Sequence, residues 1–290
     1  MKLSPFMRFT YLAAFTASAS FLYSQSSLET WSIIEAGHNE IDFVNPPLTA
    51  ILPGGYGYSD VGAPLSVNGS GEFGPMTFSA QASASASYLG LRTYASGELT
   101  DTYFEPYFPE EGDPQGVENF FNAYSYASFT DTLSYGGTAV NYNSRYLLNL
   151  SGSIFGEEAF NIVTIQHANV PVQRWSFFNP GNYDVQLVSD AYVHGAFAQE
   201  IRVTLQSYFQ VYTGYHEDGS TIMGTADFDN TLVLGGVELR DENGVLLPDG
   251  TITSASGTNY GIIAIPEPST GLLAFASSVL LVAGWRRRLS

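Results

Sequence analysis

The 290-residue chain contains no cysteine. That excludes disulfides, thiolate metal sites and a cysteine nucleophile, so the fold has to rest on core burial and backbone hydrogen bonds. Basic residues are scarce as well. Of ten lysines and arginines, five lie at the ends: Lys2, Arg8, Arg286, Arg287 and Arg288. Between residues 27 and 265 there are five arginines, no lysine and 27 acidic residues, a balance of about −22. Such a surface repels nucleic acid, whose binding needs cations to displace counterions, and it is poorly suited to anionic membrane surfaces. The only histidines are His38, His167, His194 and His216. None stands at metal-ligand spacing from another, and neither H-E-x-x-H nor G-x-S-x-G occurs, which removes the usual signatures of a zinc hydrolase and of a serine hydrolase. Capped helical patterns with i, i+3, i+4 periodicity are also missing from the body of the chain.

What is present reads as β-structure. Hydrophobic residues make up 44% and charged residues 13% of the chain, with 29 glycines and 19 tyrosines, so a core can be built and wholesale disorder is excluded. In the stretch IRVTLQSYFQVYTGY, Ile201, Val203, Leu205, Phe209 and Val211 share one parity. Arg202, Thr204, Gln206, Tyr208, Gln210 and Tyr212 share the other, which predicts a strand with one buried and one open polar face. A second alternation, TFSAQASASASYLG, sets Phe78, Ala80, Ala82, Ala84, Ala86 and Tyr88 against Ser79, Gln81, Ser83, Ser85 and Ser87. Its small side chains let a neighbouring layer approach closely. Further strands are predicted at 123–133, 146–154, 159–165, 183–188, 231–240, 244–247 and 251–255, with Asn243-Gly244 and Asp249-Gly250 as turns. Stretches 109–116 and 177–183 read as loops. Strands at this spacing argue for an all-β, antiparallel, jelly-roll-like sandwich forming one domain over residues 27–262.

Both ends differ from this body. Lys2 and Arg8 precede the apolar run Phe9–Ala19, and Ala17-Ser18-Ala19 or Ser24-Gln25-Ser26 supplies small residues for cleavage, so residues 1–26 are expected to be a signal peptide. At the other end, residues 263–290 hold Pro266-Glu267-Pro268, then 17 uncharged residues from Ser269 to Trp285, then Arg286, Arg287 and Arg288. As a helix the uncharged run would span about 25 Å, slightly less than a bilayer core of about 30 Å. Its apolar residues cover every helical face. By the positive-inside rule the three arginines stop translocation on the cytoplasmic side, leaving the acidic body outside. The prolines keep residues 266–268 extended, in a form a protease can take.

This order of Pro-Glu-Pro, short span and arginine cluster resembles the PEP-CTERM sorting signal of Gram-negative bacteria. The resemblance implies processing near Pro266-Glu267-Pro268 by an exosortase-type membrane protease, after export by the secretion machinery, and release to the cell surface or extracellular matrix. The body is similar to ectodomains that precede this signal. The similarity is carried by the Ala/Ser strand, by FTDTL (129–133) and by TADFDNTLVLGGVELRDENGVLLPDGTITSASGTNYG (225–261), read as a strand entry at Asp227-Phe228-Asp229-Asn230-Thr231, a DENG turn and a SASGT ending. It implies a β-sandwich and no particular activity.

Three kinds of site are considered for the body. Tyr208 and Tyr212, flanked by Arg202, Gln206 and Gln210, form a candidate contact for exopolysaccharide. Asp227 and Asp229, with Asp241, Glu242, Asn243 and Asp249 nearby in sequence, offer oxygens for a weak structural Ca²⁺, which takes six to eight such ligands. No other cofactor is expected. Paired carboxylates, Asp227 with Asp229 or Glu110 with Glu111, are the groups a glycan hydrolase or lyase would need. The expectation that follows is a non-catalytic structural or interaction sandwich, with a carbohydrate-binding module as the alternative and a carboxylate-dependent glycan hydrolase or lyase third.

Overall fold

A computed structural model describes residues 26–40, 48–73, 76–100, 117–136, 142–156, 158–167, 171–189, 199–212, 219–247 and 250–262. The signal peptide, the Pro-Glu-Pro motif, the apolar span and the arginine cluster lie outside these residues, as do Glu110, Glu111, His194, His216 and Asp249. Among the described residues no helix is long and apolar enough to cross a membrane.

Among the described residues, thirteen strands follow one another: β1 Ser27–Glu40, β2 Leu48–Ser59, β3 Leu65–Phe73, β4 Met76–Ser87, β5 Gly90–Thr100, β6 Val117–Gly136, β7 Tyr142–Phe155, β8 Ala159–His167, β9 Gln173–Phe177, β10 Gly181–Ser189, β11 Gln199–Tyr212, β12 Thr221–Asp241 and β13 Thr251–Ser254. They form two antiparallel sheets. The first has the order β2-β1-β6-β11-β8-β9, with β13 added to the end of β6, and the second has the order β10-β7-β12-β5-β4-β3. The sheets face each other, with β4 against β1 and β6 and β5 against β11, so the chain is the antiparallel sandwich that its alternating patterns predict.

Parity decides what lies between the sheets. Ile201, Val203, Leu205, Phe209 and Val211 of β11 are fully buried, and from the opposite sheet Ala80, Ala82 and Ala84 of β4 meet the same core. The close approach is greatest at Phe209. A row of small residues, Gly69, Ala80, Gly97 and Gly224, runs across β3, β4, β5 and β12 in register. The Phe209 ring presses on this row: a Cβ at Gly97 would fall 2.1 Å from Phe209 Cδ1 and one at Gly224 2.6 Å from Cδ2. Some polar atoms of the interior pair with one another, within a sheet and between sheets, which offsets the cost of burying them. Thr93 Oγ1 of the second sheet meets Ser207 Oγ of the first at 2.8 Å, and Asn161 Nδ2 donates to Ser207 Oγ at 3.0 Å and to the Gln206 carbonyl at 2.7 Å.

Two local expectations are corrected. Residues 227–231 are not a strand entry: β12 begins ten residues before Thr231, and this segment is an irregularity in mid-strand, between Phe228 and Leu232. Residues 244–247 form a single bridge, Leu246 with Arg240, rather than a strand, because the turn after Asp241 is held by that side chain. Its Oδ1 accepts from the amides of Asn243 at 2.9 Å and Val245 at 2.7 Å, with Gly244 at φ +81°.

Candidate functional site

Tyr208 belongs to the outward parity of β11, as its sequence pattern predicts, but it is not on an open face. β11 is a central strand, and the register sets Tyr124 of β6 and Phe160 of β8 directly beside it. The Tyr208 ring stacks on Phe160 at 4.5 Å and 11°, packs against Tyr124 at 4.6 Å, and is 5% exposed. Phe178 lies 5.5 Å beyond Phe160. Burial pushes the Tyr208 phenol well above its ordinary range, and its hydroxyl donates to Gln206 Oε1 at 2.7 Å. The expected contact surface is therefore the buried middle of an aromatic row. Gln206 and Gln210 are half-buried, and the Arg202 guanidinium is engaged, donating to Glu29 Oε2 at 3.1 Å and to the Tyr126 hydroxyl at 2.7 Å. Tyr212 closes the strand opposite Phe120.

Followed across the sheet, that aromatic row reaches the surface at the edge. Tyr126 of β6 meets Trp31 of β1 at 5.5 Å, and Trp31 meets Tyr58 of the edge strand β2 at 6.2 Å. Trp31, Tyr56 and Tyr58 are all exposed. The Trp31 indole N–H donates to Glu29 Oε1 at 3.0 Å, which ties the ring to the Arg202–Glu29 pair. Sequence reasoning missed these residues because β1 and β2 carry no clean alternation and their pairing with β6 is long-range.

Asp227 and Asp229 do lie together: the Asp229 amide donates to Asp227 Oδ1 at 3.1 Å. Desolvation, and then the charge of Asp227, raise the Asp229 carboxyl above its usual range, while Arg92 opposes the rise. Asp241 is committed to its own turn. No group of three or more Asp, Glu or His side chains is gathered among the described residues.

The outer face of the second sheet carries a groove of about 520 Å³ that runs over β3, β4, β5, β12 and the end of β7. Its floor is the Gly69–Ala80–Gly97–Gly224 row, and its walls include Asn68, Gln81, Ser96, Tyr94, Glu98 and Phe155.

The other buried titratable groups hold structure. His167 is buried, its Nε2 lies 2.9 Å from Ser189 Oγ, its ring packs against Tyr146 at 4.7 Å, and desolvation lowers its pKa to about 4. Tyr146 in turn contacts the Tyr135 hydroxyl, and burial raises its own phenol to about 12. Glu238, fully buried, sits between Arg240 and Arg145. Asp131, also fully buried, binds Ser256 and Tyr260.

Past the sandwich, the chain meets a known family. Residues 264–288 match the family model of the PEP-CTERM protein-sorting motif. The chain thus carries a PEP-CTERM sorting signal behind an all-β body. Signals of this kind are recognised by exosortase, a membrane protein, and mark a chain for export with a membrane-anchored sorting segment. The comparison with curated proteins finds no match.

Proposed function

We propose that this chain is an exported, exosortase-processed protein of the cell surface or extracellular matrix of a Gram-negative bacterium, whose sandwich does structural or interaction work without catalysis. The carrying observation is the adjacency of body and signal. Ile262 still bridges to Val237, and the Val237 amide donates to the Gly261 carbonyl at 3.0 Å, only two residues before the sorting motif begins. The folded body therefore abuts the sorting segment. The secretion machinery and an exosortase-type protease are the partners this reading needs, and it needs no cofactor. Its support inside the sandwich is the use made of the buried ionisable groups: His167, Glu238 and Asp131 are each engaged in a packing or hydrogen-bonded contact.

Mass spectrometry of both termini, on protein recovered from the cell envelope and from the medium, tests the reading. The expected result is loss of residues 1 to about 26 and a new C-terminus near Pro266-Glu267-Pro268. A full-length chain confined to the cytoplasm overturns it.

A second reading, binding of extracellular polysaccharide, is favoured by the polar groove of the second sheet and by the exposed Phe155 ring in its lining. A reducing-sugar assay run beside a binding assay separates it from a carboxylate-dependent glycan hydrolase or lyase.

A further inference from the structure

We propose that the groove across the outer face of the second sheet is a binding site for an uncharged oligosaccharide. This deepens the polysaccharide reading above and moves the contact away from Tyr208 to the opposite layer. The groove crosses five neighbouring strands, β3-β4-β5-β12-β7, which at a spacing of about 4.8 Å makes it roughly 19 Å wide, room for a short run of sugar rings.

Its lining has the chemistry such a ligand asks for. Asn68 and Gln81 each present an amide donor and acceptor, and Ser96 a hydroxyl that does both. Sugar hydroxyls are themselves donor and acceptor, so they pair with these groups without a charge being buried. Phe155 stands at one end, 64% exposed, and Tyr94 is half-buried beside Ser96, giving flat apolar faces for the C–H side of a sugar ring. Glu98 is the one charged residue in the lining, in a chain whose body is about −22. No cation there would hold a phosphate or a uronate, and the surrounding field repels both. This excludes an anionic occupant, and the amide, hydroxyl and aromatic groups of the lining suit a neutral sugar.

The groove is also built rather than incidental. Its floor is backbone because the Gly69, Ala80, Gly97 and Gly224 positions face the core, and the outward residues of β4 that flank it, Ser79 and Gln81, are short or flexible. The Ala/Ser alternation that is so plain in the sequence thus shapes both sides of one sheet.

The test is affinity electrophoresis of the exported protein in native gels cast with a neutral β-glucan, a galactomannan, dextran or alginate. Retardation is expected with at least one neutral polymer and not with alginate. Phe155→Ala, an exposed position whose replacement leaves the core intact, and Gln81→Ala are each expected to weaken the interaction about tenfold or more. Trp31→Ala, on the other sheet, should leave it unchanged. Absence of retardation by every neutral polymer overturns the proposal, as does retardation that survives the Phe155→Ala/Gln81→Ala double change or disappears with Trp31→Ala. A surface-located, processed chain that ignores all four polymers overturns the groove while leaving the surface reading intact. Retardation accompanied by release of reducing ends keeps the groove and overturns the absence of catalysis.

Discussion

Tyr260 donates its phenolic hydrogen to Asp131 Oδ2 at 2.8 Å, across 129 residues of chain. The same carboxylate takes the Ser256 hydroxyl, the Ser256 amide at 3.1 Å and the Thr132 amide at 2.8 Å. Desolvation and the neighbouring carboxylate push the Tyr260 phenol far above its ordinary range, so it remains a donor at any working pH. A buried carboxylate with four donors is well compensated, and three of those donors come from the segment that leads to the sorting motif. The contact is a clasp: it pins residues 254–260 to β6.

Loss of the phenol should therefore be felt globally. Tyr260→Phe removes one hydrogen bond to a charged acceptor and is expected to cost about 1.5–3 kcal/mol. Asp131→Ala strands several buried donors and should cost more. Urea unfolding measures both, and subtilisin digestion should cut the 254–262 segment faster in each variant. Equal midpoints for the parent and Tyr260→Phe would show that the clasp contributes nothing.

At Gly97 the absence of a side chain is a steric demand rather than a backbone preference. Gly97→Ala places a methyl group inside the Phe209 ring, with two ring carbons at 2.1 and 2.2 Å. Overpacking of this kind costs about 1–3 kcal/mol. The double variant Gly97→Ala/Phe209→Leu should recover part of that loss, giving a coupling energy of opposite sign to the single costs. Additive losses in thermal or urea melts would mean that the ring does not set the inter-sheet distance.

His167 gives the sandwich an acid-sensitive element. Its folded pKa is lowered by desolvation from the ordinary 6.5 to about 4, while the unfolded chain keeps 6.5. Between those values the unfolded state binds more protons, so stability is complete above about pH 6.5 and falls as the pH drops toward 4, by about 3 kcal/mol in all. His167→Gln should remove this contribution from the variant, so that the difference between parent and variant stability changes with pH between 7.5 and 4. Parallel curves over that window would assign acid sensitivity to other groups.

The period-2 pattern of β11 places Ile201, Val203, Leu205, Phe209 and Val211 in the core correctly, because parity is a local property of a strand. It places Tyr208 on the outward face but says nothing about what flanks it. Burial of Tyr208 follows from β11 lying between β6 and β8, and that neighbourhood is set by long-range pairing. Likewise FTDTL and SASGTNY can each be picked out in the sequence, yet only the fold shows that Asp131 of one holds Ser256 and Tyr260 of the other. The groove is legible in half: the Ser and Gln positions of β4 are plain, whereas Asn68, Glu98 and Phe155 arrive from strands that are distant in the chain or weakly patterned.

The arginine cluster can be tested apart from the fold, since the described sandwich ends at Ile262. If Arg286, Arg287 and Arg288 act as a topological stop, only their charge matters, because the positive-inside bias counts Lys and Arg alike. Deleting the three should abolish the membrane-anchored intermediate and leave the C-terminus untrimmed, while replacing all three with lysine should restore anchoring. Trimming that fails with lysine but anchoring that survives would assign the guanidinium groups to protease recognition instead. An unaltered location and an identical trimmed end in the deletion, read by fractionation and terminal mass spectrometry, would remove the cluster from the sorting mechanism and with it the sidedness that places the acidic sandwich outside the cell.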